Sequence, residues 1–280
     1  PYLDIKRNVQ MGVQIGIAGA SGSGFVVSED GFILTNRHVG ASWNTRYNFP
    51  NYAFPGVLIR SENGKSQIVP GISIMQQQVA GYVPANATMV GGRPVGQGSI
   101  KGRNTYMNVV FANTVLRRPA VSVTPSDEHD VAMLKIDIPE SLSKVTMRDS
   151  YDEVKPGQTV TVMGYPGVAP EEFVVRKSND PFNPQTQFTT MPTPTVTTGN
   201  IGRVIPASSD KNLTYSGFGD SYQLTINATG AGNSGGPMFD EKGNVVGIYY
   251  AGASGGGANI SFAVPIKYGL ELMGRKKIDK

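Results

Sequence analysis

Ser234 sits in the run Thr229-Gly-Ala-Gly-Asn-Ser-Gly-Gly-Pro237, with glycine at 232, 235 and 236 and a proline closing it. A hydroxyl near its free pKa is a weak nucleophile. A serine that attacks carbonyl carbon therefore needs a base to take its proton and fixed donors for the oxyanion that forms. Glycines at these places serve both needs. Gly232 can take backbone angles closed to other residues, which lets its N–H and that of Ser234 converge on one point. Gly235 and Gly236 let a substrate or a second strand come close to the main chain. Taken alone, the string also reads as a Gly/Ser turn between strands, in a chain that holds 35 glycines.

The candidate bases are the two histidines, His38 and His129, and both precede Ser234. Gly232-x-Ser234-x-Gly236 also satisfies the G-x-S-x-G elbow of α/β-hydrolases, in which the histidine follows the serine. No histidine follows here, so the elbow reading fails. The remaining arrangements place histidine and aspartate first, in the order His, Asp, Ser or Asp, His, Ser. Asp130 stands at the head of Val131-Ala-Met-Leu-Lys-Ile136, a strand with Val131 and Met133 on one face and Ala132, Leu134 and Ile136 on the other. On that fact alone it is as readily a strand cap as a catalytic carboxylate. His129, one position earlier, would point away from Asp130 across such a strand and reads as a rim residue.

These groups need elements to position them. Many short β-type runs separated by Gly, Pro, Asn and Asp argue for an all-β fold. Gly12–Ile17 alternates weakly, and Gly24–Ser28 with Gly31–Thr35 reads as a hairpin turned by Asp30-Gly31. His38 follows at once, at a sheet rim. Residues 41–104 break the rhythm, with the sole tryptophan (Trp43), Gln76-Gln-Gln78 and a few short strands such as Val57–Arg60. Regular β signal returns at Tyr106–Phe111. Ser141–Glu153 reads as a linker, and Val154–Gly164 opens a second set of strands, with Thr195–Gly199, Tyr222–Ile226 and Asn244–Tyr250 after it. Pro170–Pro194 reads as an irregular loop. A terminal helix is expected from Pro265 to about Lys276, with a proline first and cations near its end. The expected architecture is two antiparallel, six-stranded-type β-barrels with a cleft between them and a C-terminal helix. Residues 1–140 form the first, with an insertion at about 41–104; 141–153 link them; 154–264 form the second; and 265–280 carry the helix.

Composition narrows the alternatives. At 280 residues, 39% hydrophobic and 16% charged, the chain is of a globular class, and no apolar run approaches the ~20 residues of a membrane span. With no cysteine, disulfides, a thiol nucleophile and a Cys-based zinc site are excluded. Two histidines are too few for a histidine-rich metal site, so no metal and no cofactor is expected. The net charge of +4 concentrates in residues 41–104, where six basic residues face Glu62 alone. A solvated loop explains this better than a nucleic-acid surface, which needs denser clustering with interleaved aromatics.

Three blocks then resemble one family. Gly22-Ser-Gly-Phe-Val-Val27 with Ile33-Leu-Thr-Asn-Arg-His-Val39, His129-Asp-Val-Ala-Met-Leu-Lys-Ile136, and Gly232-Asn-Ser-Gly-Gly-Pro237 are similar to the catalytic blocks of trypsin-like, HtrA-type (Deg) serine proteases. Lys155-Pro-Gly-Gln158, Met163-Gly-Tyr-Pro-Gly167, Val196–Ile201 and Ile260–Pro265 fit the same order more weakly. The resemblance spans roughly half the chain. It implies that Ser234 is the nucleophile, His38 the general base and then acid, and Asp130 the group that fixes and stabilises the imidazole. It implies an oxyanion hole built from the N–H groups of Gly232 and Ser234.

The resemblance also implies a substrate-binding set. Ala228 matches the base of the primary pocket, where trypsin-like members carry an aspartate; Gly230 lies beside it; and Tyr249, Tyr250 and Ala251 lie along the substrate backbone. Without a carboxylate at 228 the expected preference is apolar, small to medium in size. In the digestive relatives position 233 is an aspartate that pairs with a freshly cut N-terminus, and the neutral Asn233 cannot do this. Activation by N-terminal insertion is therefore not expected. The family usually continues into PDZ domains, which are not expected within these residues, and it has only a short loop where 41–104 stands. That insertion is expected to border the cleft or mediate assembly. The implied function is a serine endopeptidase acting on proteins or peptides outside the bacterial cytoplasm, with homo-oligomers open. The alternative is a catalytically silent, protease-like binding or scaffold protein.

Overall fold

A computed structural model of the chain describes residues 21–41, 56–62, 65–74, 89–90, 93–94, 104–167, 172–176, 186–207, 219–226, 231–255 and 258–274. In chain order the elements begin with β1 (Phe25–Val26), β2 (Phe32–Thr35), the short helical turn α1 (Arg37–Gly40), β3 (Gly56–Glu62), β4 (Lys65–Ile74), β5 (Met89–Val90) and β6 (Arg93–Pro94). Next come β7 (Asn108–Val110), β8 (Arg117–Pro125), β9 (Ala132–Ile136), a single 3₁₀ turn at Tyr151–Glu153 and β10 (Thr159–Gly164). The rest are β11 (Glu172–Arg176), β12 (Gln187–Met191), β13 (Thr195–Ile205), β14 (Ser221–Leu224), β15 (Pro237–Phe239), β16 (Val245–Gly255), β17 (Ala258–Pro265) and α2 (Lys267–Leu272).

Two antiparallel β units carry the site. The first is a five-stranded sheet in the order β1-β2-β9-β8-β7, and the second is a closed barrel in the order β10-β13-β14-β17-β16-β15. The all-β expectation holds, with the second barrel complete and the first represented by five strands among the described residues. In the β1–β2 hairpin Phe25 pairs with Leu34, and the loop is held by the Phe32 N–H donating to Ser28 Oγ at 3.0 Å. Along β9 the odd and even positions alternate as the sequence predicts: Ala132, Leu134 and Ile136 are buried while Met133 and Lys135 are half-buried.

One apolar cluster fills the closed barrel, around Val160, Ile201, Leu224, Met238 and Tyr249. A second takes Phe25, Leu34 and Val131 from the first sheet together with Val245, Ile248 and Val264 from the barrel, and Ile266 and Tyr268 from the start of α2. The two units therefore share a core. Residues 141–153 run between them as an extended strap. Val145 N–H donates to Val26 O at 3.0 Å on one side, and Val245 N–H donates to Thr146 O at 2.8 Å on the other.

Three element expectations need correction. Pro170–Pro194 contains the β11–β12 hairpin, with Phe173 opposite Thr190 and Val175 opposite Phe188. Its β-forming residues flank a polar, Pro-containing stretch that masks their alternation in the sequence. Pro265 ends β17 and does not start the helix, and α2 is closed after six residues by a turn at Gly274, whose φ is +71°. His129 and Asp130 lie in a turn before β9, where Val131 N–H donates to His129 O at 2.8 Å, and not within the strand. Within 41–104 the structure describes two hairpins, β3–β4 and β5–β6; the Gly12–Ile17 run and Trp43 lie outside the described residues.

Candidate active site

The histidine comes from α1. Asn36, which precedes α1, and its first two residues, Arg37 and His38, all bind the turn that precedes β9. Asn36 Nδ2 donates to Asp130 O at 2.9 Å, and Arg37 donates from one terminal nitrogen to Ser126 O at 2.7 Å and Asp127 O at 2.8 Å. His38 meets Asp130 twice: its backbone N–H donates to Oδ1 at 3.0 Å, and its Nδ1 lies 2.8 Å from Oδ2. This places the imidazole edge that carries Nε2 away from the carboxylate.

Burial alone would lower the His38 pKa. The charge and hydrogen bond of Asp130 outweigh that and raise it above the ordinary imidazole value. Burial likewise works to raise the Asp130 pKa, and the facing imidazole, the Arg37 guanidinium and the His38 N–H together hold it below the ordinary carboxylate value. Asp130 is only 5% exposed at its side chain while His38 keeps 29%. The pair is thus a buried carboxylate behind an imidazole that still reaches the surface.

Ser234 comes from the turn before β15, and its shape depends on glycine. Gly232 has φ of +108°, and a β-carbon there would lie 2.2 Å from Tyr165 O. Gly235 has φ of +92°, and a β-carbon there would lie 2.1 Å from Ser23 O. Neither position admits a side chain. Gly167 N–H donates to Ala231 O at 2.7 Å. Because a trans peptide points its carbonyl and N–H in opposite directions, this bond turns the Gly232 N–H away from Gly167. Neither the Gly232 nor the Ser234 N–H donates to any described residue. Asn233 between them is buried, packed where a β-carbon on Gly164 would come within 2.5 Å of its Oδ1.

Gly22 and Ser23 join the two halves of the site. A β-carbon on Gly22 would lie 2.6 Å from a methyl carbon of Val39, the residue after His38, and 2.9 Å from Ser234 O. Ser23 is buried and uses every polar group it has. Its N–H donates to Ser234 O at 2.7 Å, its Oγ donates to Gly232 O at 2.6 Å and accepts from Tyr165 N–H at 3.0 Å, and its carbonyl accepts from Thr35 Oγ1 at 2.7 Å. Sequence reading singled out neither Ser23 nor Arg37. A signal was present for Ser23, as a polar residue between two glycines; Arg37, within the polar run Thr35-Asn-Arg-His38, had none.

Ser234 Oγ donates to Tyr250 O at 3.0 Å. The pairing of β16 with β17 shifts register between Tyr249 and Ala251, so Tyr250 is the extra residue of a bulge. Tyr250 O thereby meets Ser234 Oγ, and Ala251 returns to the ladder opposite Phe262. Tyr249 also meets the Ser234 turn, but through its main chain: its carbonyl accepts from Gly235 N–H at 2.8 Å and its N–H donates to Gly236 O at 2.9 Å. The placement of Tyr249 along the substrate needs correction for its side chain, which is 1% exposed inside the barrel core. Ala228 and Gly230 lie outside the described residues. The His129 ring stacks on Tyr268 with centroids 3.6 Å apart.

The profile of the trypsin-like peptidase domain matches residues 22–248. Serine protease HTRA1A of Danio rerio is 26% identical over 249 residues, which is 89% of this chain and 33% of the relative. A probable periplasmic serine endoprotease, DegP-like, of Marinomonas sp. is 26% identical over 269 residues, 95% of this chain and 37% of the relative. This chain thus spans about a third of the length of those relatives. Among solved structures, HtrA-type protease AlgW with tripeptide aligns at a TM-score of 0.47 and 22% identity over 94% of this chain and 58% of that one. Deg5 aligns at 0.46 and 17% over 92% and 85%. With the matched profile running from the Gly22–Ser23 junction past the nucleophile turn, the chain belongs to the trypsin-like peptidase family.

Proposed function

We propose that the chain is a serine endopeptidase that hydrolyses peptide bonds through Ser234, His38 and Asp130 by way of an acyl-enzyme. The observation that carries this reading is the double contact between Asp130 and His38, which sets the imidazole with one nitrogen held and the other available. In the first step the Ser234 hydroxyl turns from Tyr250 O to His38 Nε2, gives up its proton and attacks the scissile carbonyl. Gly232 and Ser234 N–H groups receive the oxyanion, an interaction whose loss typically costs about 10²–10³ in turnover. The imidazolium, stabilised by Asp130, then protonates the leaving amine, and water repeats the sequence on the ester. The bulged Tyr250–Ala251 main chain offers an edge along which an extended substrate lies. Ala228 and Gly230 are assigned to a primary pocket with no carboxylate, hence to apolar residues beside the cut. A location outside the cytoplasm is in keeping with the DegP-like relatives, which are named as periplasmic.

One observation favours the alternative, a silent binding protein: the Ser234 hydroxyl is engaged by Tyr250 O and not by His38. Labelling with a fluorophosphonate decides between them. An activated Ser234 is labelled and Ser234→Ala is not; a wild-type chain that resists the reagent and leaves casein uncut overturns the peptidase reading.

A further inference from the structure

Among the described residues, the largest fully buried side chain is charged. Arg37 is 0% exposed, directly beside His38 in sequence, and donates to the carbonyl oxygens of Ser126 and Asp127. Burying a guanidinium is expensive unless hydrogen bonds and opposing charge offset it. A turn of four residues with no other anchor on the Asp130 loop could have been held by Asn36 and His38 alone, with an apolar residue between them. The charge stands where the site's own ionic pair is.

We propose that Arg37 is a positioning residue of this active site: it clamps the 126–130 turn onto the helical turn bearing His38 and keeps a fixed positive charge beside the His38–Asp130 pair. The inference rests on the peptidase reading above. The charged groups facing the imidazole are Asp130 from the opposite turn and Arg37 from its own; those facing Arg37 are Asp130 and Asp127. The guanidinium opposes protonation of His38 and favours the ionised form of Asp130, so both pKa values lie lower than they would without it. Asp130 pulls the imidazole pKa up, and Arg37 limits the rise. The base thereby stays available at a pH where the carboxylate alone would leave it protonated.

The test compares the full chain with Arg37→Gln, Arg37→Met and Arg37→Lys. Methionine fills the buried volume without an unsatisfied polar group, so a neutral variant remains readable where glutamine fails to fold. The primary readout is the NMR titration of the imidazole C–H signals, which are assignable because the chain has two histidines and His38→Ala removes one set. The neutral variants are expected to raise the His38 pKa, and lysine to keep it near wild type. The fluorophosphonate labelling rate below that pKa should fall in parallel, tenfold for each unit the titration moves. A folded neutral variant whose His38 titrates as in wild type overturns the proposal. So does a lysine variant that shifts as far as methionine, because shape would then matter and charge would not. The titration needs no turnover, so a wild-type chain inert to the reagent would sink the peptidase reading while leaving this inference separately testable.

Discussion

The two halves of the active site are built in opposite ways. His38 and Asp130 are held by side chains: three consecutive residues at the start of α1, Asn36 to His38, reach across to one turn with an amide, a guanidinium and an imidazole. Ser234 is held by main chain: its turn is fixed by peptide groups packed so closely that positions 232 and 235 have no room for a β-carbon. The first half stores its geometry in charge and hydrogen-bond chemistry, and the second in the absence of side chains. They should therefore fail differently, the first to changes of charge at constant size and the second to changes of size at constant polarity.

The largest effect is expected from a charge change. Asp130→Asn keeps the shape and should lower kcat about 10⁴-fold, measured with a peptide substrate. It should also move the acid limb of kcat/KM. In wild type His38 is inactive when protonated, and its pKa is raised, so activity is lost as pH falls through a value above the ordinary 6.5. Without the carboxylate, burial and the Arg37 charge both act to lower the imidazole pKa, and the limb moves down. A limb that stays fixed, or moves up, contradicts the assignment of Asp130 as the group responsible. Next in size, Gly235→Ala adds one methyl against Ser23 O and should cost about 10²-fold in kcat by displacing the nucleophile, with a lower melting temperature. If an alanine here were as active as wild type, the contrast between the halves would collapse.

Ser23→Ala removes the Oγ that bridges Gly232 O and Tyr165 N–H and leaves both buried groups short of a partner. A loss of about 1–2 kcal/mol in transition-state stabilisation follows, roughly a tenfold fall in kcat/KM. Thermal stability of the first sheet alone cannot mimic that signature if KM stays constant. The smallest expected effect is none. Additional residues placed before Pro1 should leave kcat/KM unchanged, because the buried side chain at 233 is a neutral amide that cannot bind an ammonium. Activation on removing them would reverse that view.

The glycine run around Ser234 stood out by composition, and the grouping of His38 and Asp130 with it came from the family resemblance; the strands beside them were legible because apolar positions alternate along them. The β1–β2 hairpin and the alternation along β9 were legible for the same reason. Where residue type and environment part ways, reading failed. Tyr249 and Tyr250 are identical side chains one position apart, yet a bulge sends the first into the barrel and turns the carbonyl of the second to Ser234, and nothing in their chemistry announces which. The β11–β12 hairpin was hidden because its Phe173, Val175 and Phe188 are exposed at 61%, 58% and 68%, so no buried face enforces a clean apolar period. Arg37 escaped notice because a lone arginine is ordinarily a surface residue, and only the fold shows that it is sealed.

The core shared by Leu34 and Ile248 has a consequence for how this molecule could be taken apart. A chain cut within the strap at 141–153 would yield two fragments, each with a greasy face that water cannot wet favourably and whose natural cover is the other fragment. Mixed together, they should dock and regain one groove with its reacting groups opposed; kept separate, each should clump.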